Sequence, residues 1–197
     1  DEGRHFGVVG LGIGTLATYT DPDDSLRFYE VNPDVVDVSN KYFSYLRDAQ
    51  GTIETVLGDG RLTLEREPYQ GFDVLVLDAF SSDAIPTHLL TKEAFELYLR
   101  HLDPQGVLAI NVTNRHINML PVIQGHVATQ QIPAVFVRKK VSSPMGNYVS
   151  HWILMTANED FLSWPPIAMN TSKPPVGDVG PVYWTDDHAP LFPLLFD

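Results

Sequence analysis

The sequence has no cysteine, which excludes disulfides, thiolate nucleophiles and cysteine-ligated metals. That absence fits a reducing compartment, and a cytoplasmic location is the expectation. Basic residues are scarce: 13 Lys and Arg face 25 Asp and Glu, a formal net charge of −12. Nucleic acid is therefore not an expected partner, because binding phosphate backbones needs a basic face. An acidic protein suits a small cationic substrate, although acidity also serves solubility alone. No apolar run is long enough to span a bilayer. No H-E-x-x-H spacing joins any of the histidines, so no metal is expected, and Asp186-Asp187-His188 reads as a polar turn. Ser81 and Ser82 lack the G-x-S-x-G setting of a hydrolase nucleophile.

What is present is a globular composition, with 44% hydrophobic and 19% charged residues over 197 positions. Its organising stretch is Val8-Val9-Gly10-Leu11-Gly12-Ile13-Gly14-Thr15, a buried strand entering a glycine-rich turn and then a helix. Gly10 would turn the chain off the strand, Gly12 would let a ligand approach the backbone, and Gly14 would let the helix start pack near the sheet. N–H groups at that helix start would floor a ligand site. A second apolar run, Leu26–Tyr29, ends in Glu30, twenty positions after Gly10, where a nucleotide-binding fold grips ribose hydroxyls. Thr15 occupies the place of the third glycine of a dinucleotide fingerprint. The G-x-G-x-G spelling points instead to an S-adenosylmethionine-type nucleoside.

Strands and helices alternate along the chain. Strands are expected at about 5–10, 25–30, 52–57, 73–77, 107–112, 134–138 and 148–156. Helices are expected from Gly14 to Tyr19, from Asn32-Pro33 to about Leu46, briefly after Asp59, from Thr91 to about His101, and from Met119 to Gln130. Asp103–Gly106 reads as a turn, and 142–147 as a hairpin. The pattern specifies an α/β fold with a doubly wound, mostly parallel sheet and an antiparallel last strand. Residues 1–160 form one nucleoside-binding domain. Residues 161–197 form a proline-rich tail whose aromatic end, Tyr183–Leu191, docks back on it.

In such a sheet, ligands bind beyond the carboxyl ends of the strands. Acids stand there in succession: Glu30, Asp59 and Asp78. Asp59, next to Gly60, could accept an adenine amine or simply cap the short helix that follows. Asp78 opens a loop that also carries Asp83. A pair of loop carboxylates can hold a cationic amine and take its proton, or be solvated acids only. Asn114-Arg115-His116 follows strand five at the same edge.

Gly10–Thr15, Tyr29-Glu30-Val31-Asn32-Pro33, Gly58-Asp59-Gly60-Arg61, the Asp78–Pro86 loop, Leu89–Glu93 and Leu102–Leu108 together resemble the spermidine synthase family of polyamine aminopropyltransferases. The similarity is greatest to bacterial spermidine synthase-like proteins often fused to membrane segments, whose tails Thr185-Asp186-Asp187 also resembles. The resemblance implies a Rossmann-like S-adenosylmethionine-dependent methyltransferase fold. It also implies decarboxylated S-adenosylmethionine or S-adenosylmethionine as co-substrate, with no metal. Gly10, Gly12, Gly14, Glu30, Asp59, Gly60 and Asp78 would bind the nucleoside, and Asp78 and Asp83 would be catalytic, Asp78 as proton acceptor. A homodimer and membrane-spanning segments in a longer parent are further expectations of that kinship. The sequence departs from it in two places. It begins after the family's N-terminal β-strand region, as a piece cut from a longer parent or a fold that lost an N-terminal extension would, and Ala79-Phe80 lengthen the aspartate loop. A methyltransferase, or a non-catalytic nucleoside- or polyamine-sensing domain, are the alternatives.

Overall fold

β1 (His5–Val9) is the hub of the molecule, paired in parallel with β2 (Ser25–Glu30) on one side and β4 (Phe72–Leu77) on the other. This computed structural model describes residues 3–79, 86–114, 116–143, 146–172 and 180–195. β3 (Thr52–Leu57) extends the sheet beyond β2, and β5 (Leu102–Asn111) extends it beyond β4, both in parallel. β7 (Gly146–Met155) then inserts antiparallel between β5 and β6 (Ala134–Ser143), and β8 (Thr171–Ser172) pairs with the outer side of β6. The strand order is β3-β2-β1-β4-β5-β7-β6-β8. The chain winds outward through β1, β2 and β3, then returns past β1 to begin β4. The β1/β4 junction is thus the switch point at which such sheets open a crevice.

Successive strand residues face opposite sides, and both sides are covered. Val8, Leu26 and Phe28 pack on one face with Ala17, Val35, Val36 and Leu46. These come from the 3-10 helix Thr15–Tyr19, from α1 (Pro33–Tyr42) and from the segment after it. Val9, Tyr29, Leu75 and Leu77 pack on the other face. There they meet α2 (Gly60–Arg66), α3 (Lys92–His101) and α4 (Leu120–Gln130) through Leu64, Phe95 and Ile123. Caps follow the sequence: Asn32 accepts from the Asp34 N–H with Pro33 in the first turn, and Thr91 accepts from the Ala94 N–H.

The short helix expected after the glycine turn is present as the 3-10 helix Thr15–Tyr19. Several local expectations are corrected. A Cβ on Gly14 would fall 2.6 Å from Leu46, so Gly14 makes room for the segment after α1, not for the sheet. α1 ends at Tyr42 instead of Leu46, and Leu46 packs back against Gly14. Residues 103–106 belong to β5, not to a free turn. Phe72 pairs with Leu102 and Val74 with Val107, so they form a bulge within the strand. β6 runs on to Ser143, which narrows the expected hairpin to positions outside the described residues. The region 161–172 carries the end of one short helix, α5 (Glu159–Ser163), the whole of another, α6 (Pro165–Ala168), and β8.

Trp184 is wholly buried and donates its indole N–H to the Pro190 carbonyl. Its burial is worth on the order of 3 kcal/mol. The Lys92 N–H donates to the Trp184 carbonyl, which seats the segment on the start of α3. No helix among the described residues is long and apolar enough to cross a membrane.

Candidate functional site

The ends of β1 to β5 deliver the site. Backbone bonds fix these ends: Gly10 N–H to the Tyr29 carbonyl (2.9 Å), Asp78 N–H to the Val9 carbonyl (2.9 Å) and Gly58 N–H to the Glu30 carbonyl (2.8 Å). Beyond them opens a cavity of about 530 Å³ whose lining includes Gly10, Gly12, Glu30, Asp59, Gly60 and Asp78. Gly14 is outside this lining. Apolar walls come from Val31 and Val35 on one side and from Pro86 and Leu89 on the other. The last two belong to the cap and body of the 3-10 helix Thr87–Leu90.

The two lining glycines of the turn serve different ends. Gly10 has φ +102°, and a Cβ there would fall 2.5 Å from the Asp78 carbonyl oxygen, so it allows β1 and β4 to meet at the switch point. Gly12 has φ +55°, and an added Cβ would meet nothing within 4 Å, so its surroundings are open.

Glu30 is buried, and each of its oxygens accepts a backbone N–H: Leu11 at 3.0 Å and Asn32 at 2.9 Å. It therefore ties the glycine turn to the start of α1 as well as facing the cavity. A carboxylate oxygen has a second lone pair, so both remain able to accept from a ligand. The expected floor of free N–H groups is partly consumed, because Leu11 N–H serves Glu30 and Gly14 N–H serves the Leu11 carbonyl.

Asp59 does cap α2, accepting from the Leu62 N–H, and its other oxygen meets His88 Nε2 at 2.8 Å. Partial burial would raise its carboxyl, but the Leu62 N–H and His88 outweigh that, and it is held below the usual carboxylate range. Asp78 is the opposite case. Burial pushes its carboxyl up, and a hydrogen bond from Asn111 Nδ2 to Oδ1 (2.8 Å) pulls against that shift. Asn111 ends β5, and its own Oδ1 accepts the Thr113 N–H, which fixes which face of the amide meets Asp78. Asp83 and Arg115 lie outside the described residues.

Three participants escaped the sequence reading: Asn111, His88 and Arg61. Arg61 is buried in the first turn of α2. Its Nη1 donates to the His88 carbonyl (2.7 Å), Thr91 Oγ1 (3.1 Å) and Asp186 Oδ1 (2.7 Å), and its Nη2 to Asp186 Oδ2 (2.6 Å). Only Asn111 had a signal, a polar residue at the end of an apolar strand.

Among the described lining residues, the charged side chains are Glu30, Asp59 and Asp78, all acidic. No family model matches the chain. A curated polyamine aminopropyltransferase of Vibrio vulnificus is 29% identical over 109 residues, covering 53% of this chain and 36% of that protein. In sequence the chain is similar to curated polyamine aminopropyltransferases. It spans less than half the length of the curated relatives it matches. The same likeness appears in the fold. A spermidine synthase solved with the transition-state analogue AdoDATO superposes with a TM-score of 0.63 at 16% identity, over 94% of this chain and 64% of that one. The human methyltransferase-like protein 13, solved with SAH, gives 0.61 at 17% identity, over 89% of this chain and 85% of that one. The chain thus has the Rossmann-like methyltransferase fold, with antiparallel strands at one end of the sheet.

Proposed function

We propose that this chain carries the nucleoside site of an aminopropyltransferase and moves an aminopropyl group from decarboxylated S-adenosylmethionine to a small amine. The observation that carries the reading is the charge of the cavity: the charged side chains among its described lining are Glu30, Asp59 and Asp78. Such a lining attracts a sulfonium and an ammonium and disfavours a free carboxylate. That selects the decarboxylated nucleoside over the intact one. AdoDATO and SAH in the related and similar structures are ligands of the same nucleoside type.

In this reading Glu30 accepts ribose hydroxyls, Asp59 faces the adenine amine, and the open surroundings of Gly12 admit the nucleoside beside the backbone. The amine nitrogen attacks the carbon next to the sulfonium. A C–N bond forms as the C–S bond breaks, and the electron pair of that bond goes to sulfur, releasing methylthioadenosine. The attacking ammonium first has to lose a proton, since its pKa is near that of lysine, about 10.4. Asp78 is the acceptor, held at the switch point by the Val9 carbonyl and Asn111. Asp83 is assigned to the amine as a second carboxylate.

The test is an assay of methylthioadenosine release with putrescine and related amines, run with decarboxylated and with intact S-adenosylmethionine. Release that depends on amine and on the decarboxylated donor is the expected result. Methyl transfer from the intact donor would replace the reading with a methyltransferase. Nucleoside binding with no turnover would replace it with a sensing domain.

A further inference from the structure

The turn Thr185–His188 lies far along the chain from the glycine loop, yet it is bonded to the wall of the cavity. Arg61 is the link. It follows Gly60 of the cavity lining, and its guanidinium joins three segments: its own helix α2, the 3-10 helix Thr87–Leu90 through the His88 carbonyl, and Asp186 through a two-pronged contact. Asp186 is held further by Thr91 Oγ1 (2.8 Å), and its N–H donates to Glu93 Oε2 (3.1 Å). Buried Trp184 anchors the same turn. The segment held in this way carries Leu89 and follows Pro86, both on the cavity wall, and His88, which reaches back to Asp59.

We propose that Asp186, acting through Arg61, sets the position of the cavity wall at Pro86, His88 and Leu89 and thereby the affinity for the nucleoside. Both are positioning residues, and neither lines the cavity. The geometry explains why a charged side chain is buried at this point. An arginine fork supplies several donors in a fixed plane, so it can hold a backbone carbonyl and a carboxylate at once, which a lysine cannot reproduce. With Asp186 absent, Arg61 keeps the His88 carbonyl, Thr91 Oγ1 and Glu65 Oε1 but loses the two-pronged partner that holds both its Nη atoms. His88 and the wall then shift relative to Asp59.

The inference rests on the aminopropyltransferase reading for the identity of the nucleoside, and the experiment separates the two. Methylthioadenosine binding is measured by calorimetry for the wild type, Asp186→Asn, Asp186→Glu and Asp187→Asn, together with thermal melting. The ring ¹H–¹⁵N resonances of His88 are recorded without ligand. Expected for Asp186→Asn are affinity weaker by about tenfold or more, the scale on which small misplacements act, and a moved His88 signal. Asp186→Glu recovers part of both, and Asp187→Asn, an exposed neighbour, matches the wild type. Unchanged affinity in a folded Asp186→Asn overturns the proposal, as does weakening that follows melting temperature alone with His88 unmoved. If the wild type does not bind methylthioadenosine, the aminopropyltransferase reading fails. The His88 signal then decides the positioning role: moved supports it, unmoved overturns it.

Discussion

Asn111 Nδ2 donates to Asp78 Oδ1 at 2.8 Å, across the ends of neighbouring strands β5 and β4. The contact opposes the burial that raises the Asp78 carboxyl. Removing the amide in Asn111→Ala leaves burial unopposed, so the carboxyl rises further and needs a higher pH to ionise. The acid limb of the kcat/KM profile is expected to move to higher pH. Asp78→Asn is expected to cut turnover by roughly 10²–10⁴-fold, the usual worth of general acid–base catalysis. An acid limb that stays in place in Asn111→Ala would remove the pairing from the mechanism.

Gly10 and Gly12 should fail differently. In Gly10→Ala the new Cβ meets the Asp78 carbonyl at 2.5 Å. The strain, about 1–3 kcal/mol, should lower the melting temperature by roughly 3–10 °C. In Gly12→Ala the space is open, so only the left-handed backbone is penalised, at about 1–2 kcal/mol. Its larger effect should be on methylthioadenosine affinity. Equal binding losses in two equally stable variants would contradict this division.

The contrast between these glycines shows what the sequence could reveal. Gly10, Glu30, Asp59 and Asp78 were legible because each stands at or just past the end of an expected strand, and a parallel sheet places all such ends on one edge. The caps at Asn32, Asp59 and Thr91 were legible because capping is local. Other features depend on pairing between distant segments, which leaves no local trace. The insertion of β7 between β5 and β6, the bulge at 103–106 and the reach of Arg61 to Asp186 are of this kind. Glu30 was half legible: its place at the edge could be read, but not its bonds to Leu11 and Asn32. Asp83 lies outside the described residues, and its role rests on its sharing one loop with Asp78.

Glu30→Gln keeps shape and removes charge. An amide has one acceptor oxygen where the carboxylate has two, so the Leu11 or Asn32 N–H loses its partner. Losing a charge-assisted bond costs about 1.5–3 kcal/mol, so methylthioadenosine affinity should fall roughly 10- to 100-fold by calorimetry. The same affinity as the wild type would take Glu30 out of the ligand site.

Acid should loosen the start of the sheet. Asp24 is buried and accepts from the Arg4 backbone and guanidinium and from the Asp21 N–H. The Arg4 side chain is the main reason its pKa is lowered to about 2. Unfolded, an aspartate titrates near 3.9, about two units higher. The unfolded chain therefore binds the proton first as pH falls. The stabilisation is present above about pH 4 and is lost as pH drops toward 2. Asp24→Asn should melt lower than the wild type at pH 6, and the gap should close toward pH 2. A gap that does not change with pH would show that packing, not charge, is the source.

The Arg61–Asp186 contact joins residues 125 positions apart, which gives the site a history during synthesis. A ribosome adds about 5–20 residues per second, so Arg61 waits on the order of ten seconds for its carboxylate. In the later part of that interval, once Asn111 has been made, β1 to β5 can already be paired, while the guanidinium has only the His88 carbonyl, Thr91 and Glu65 to hold. The cavity is therefore finished late, by a turn that arrives after the strands whose ends define it.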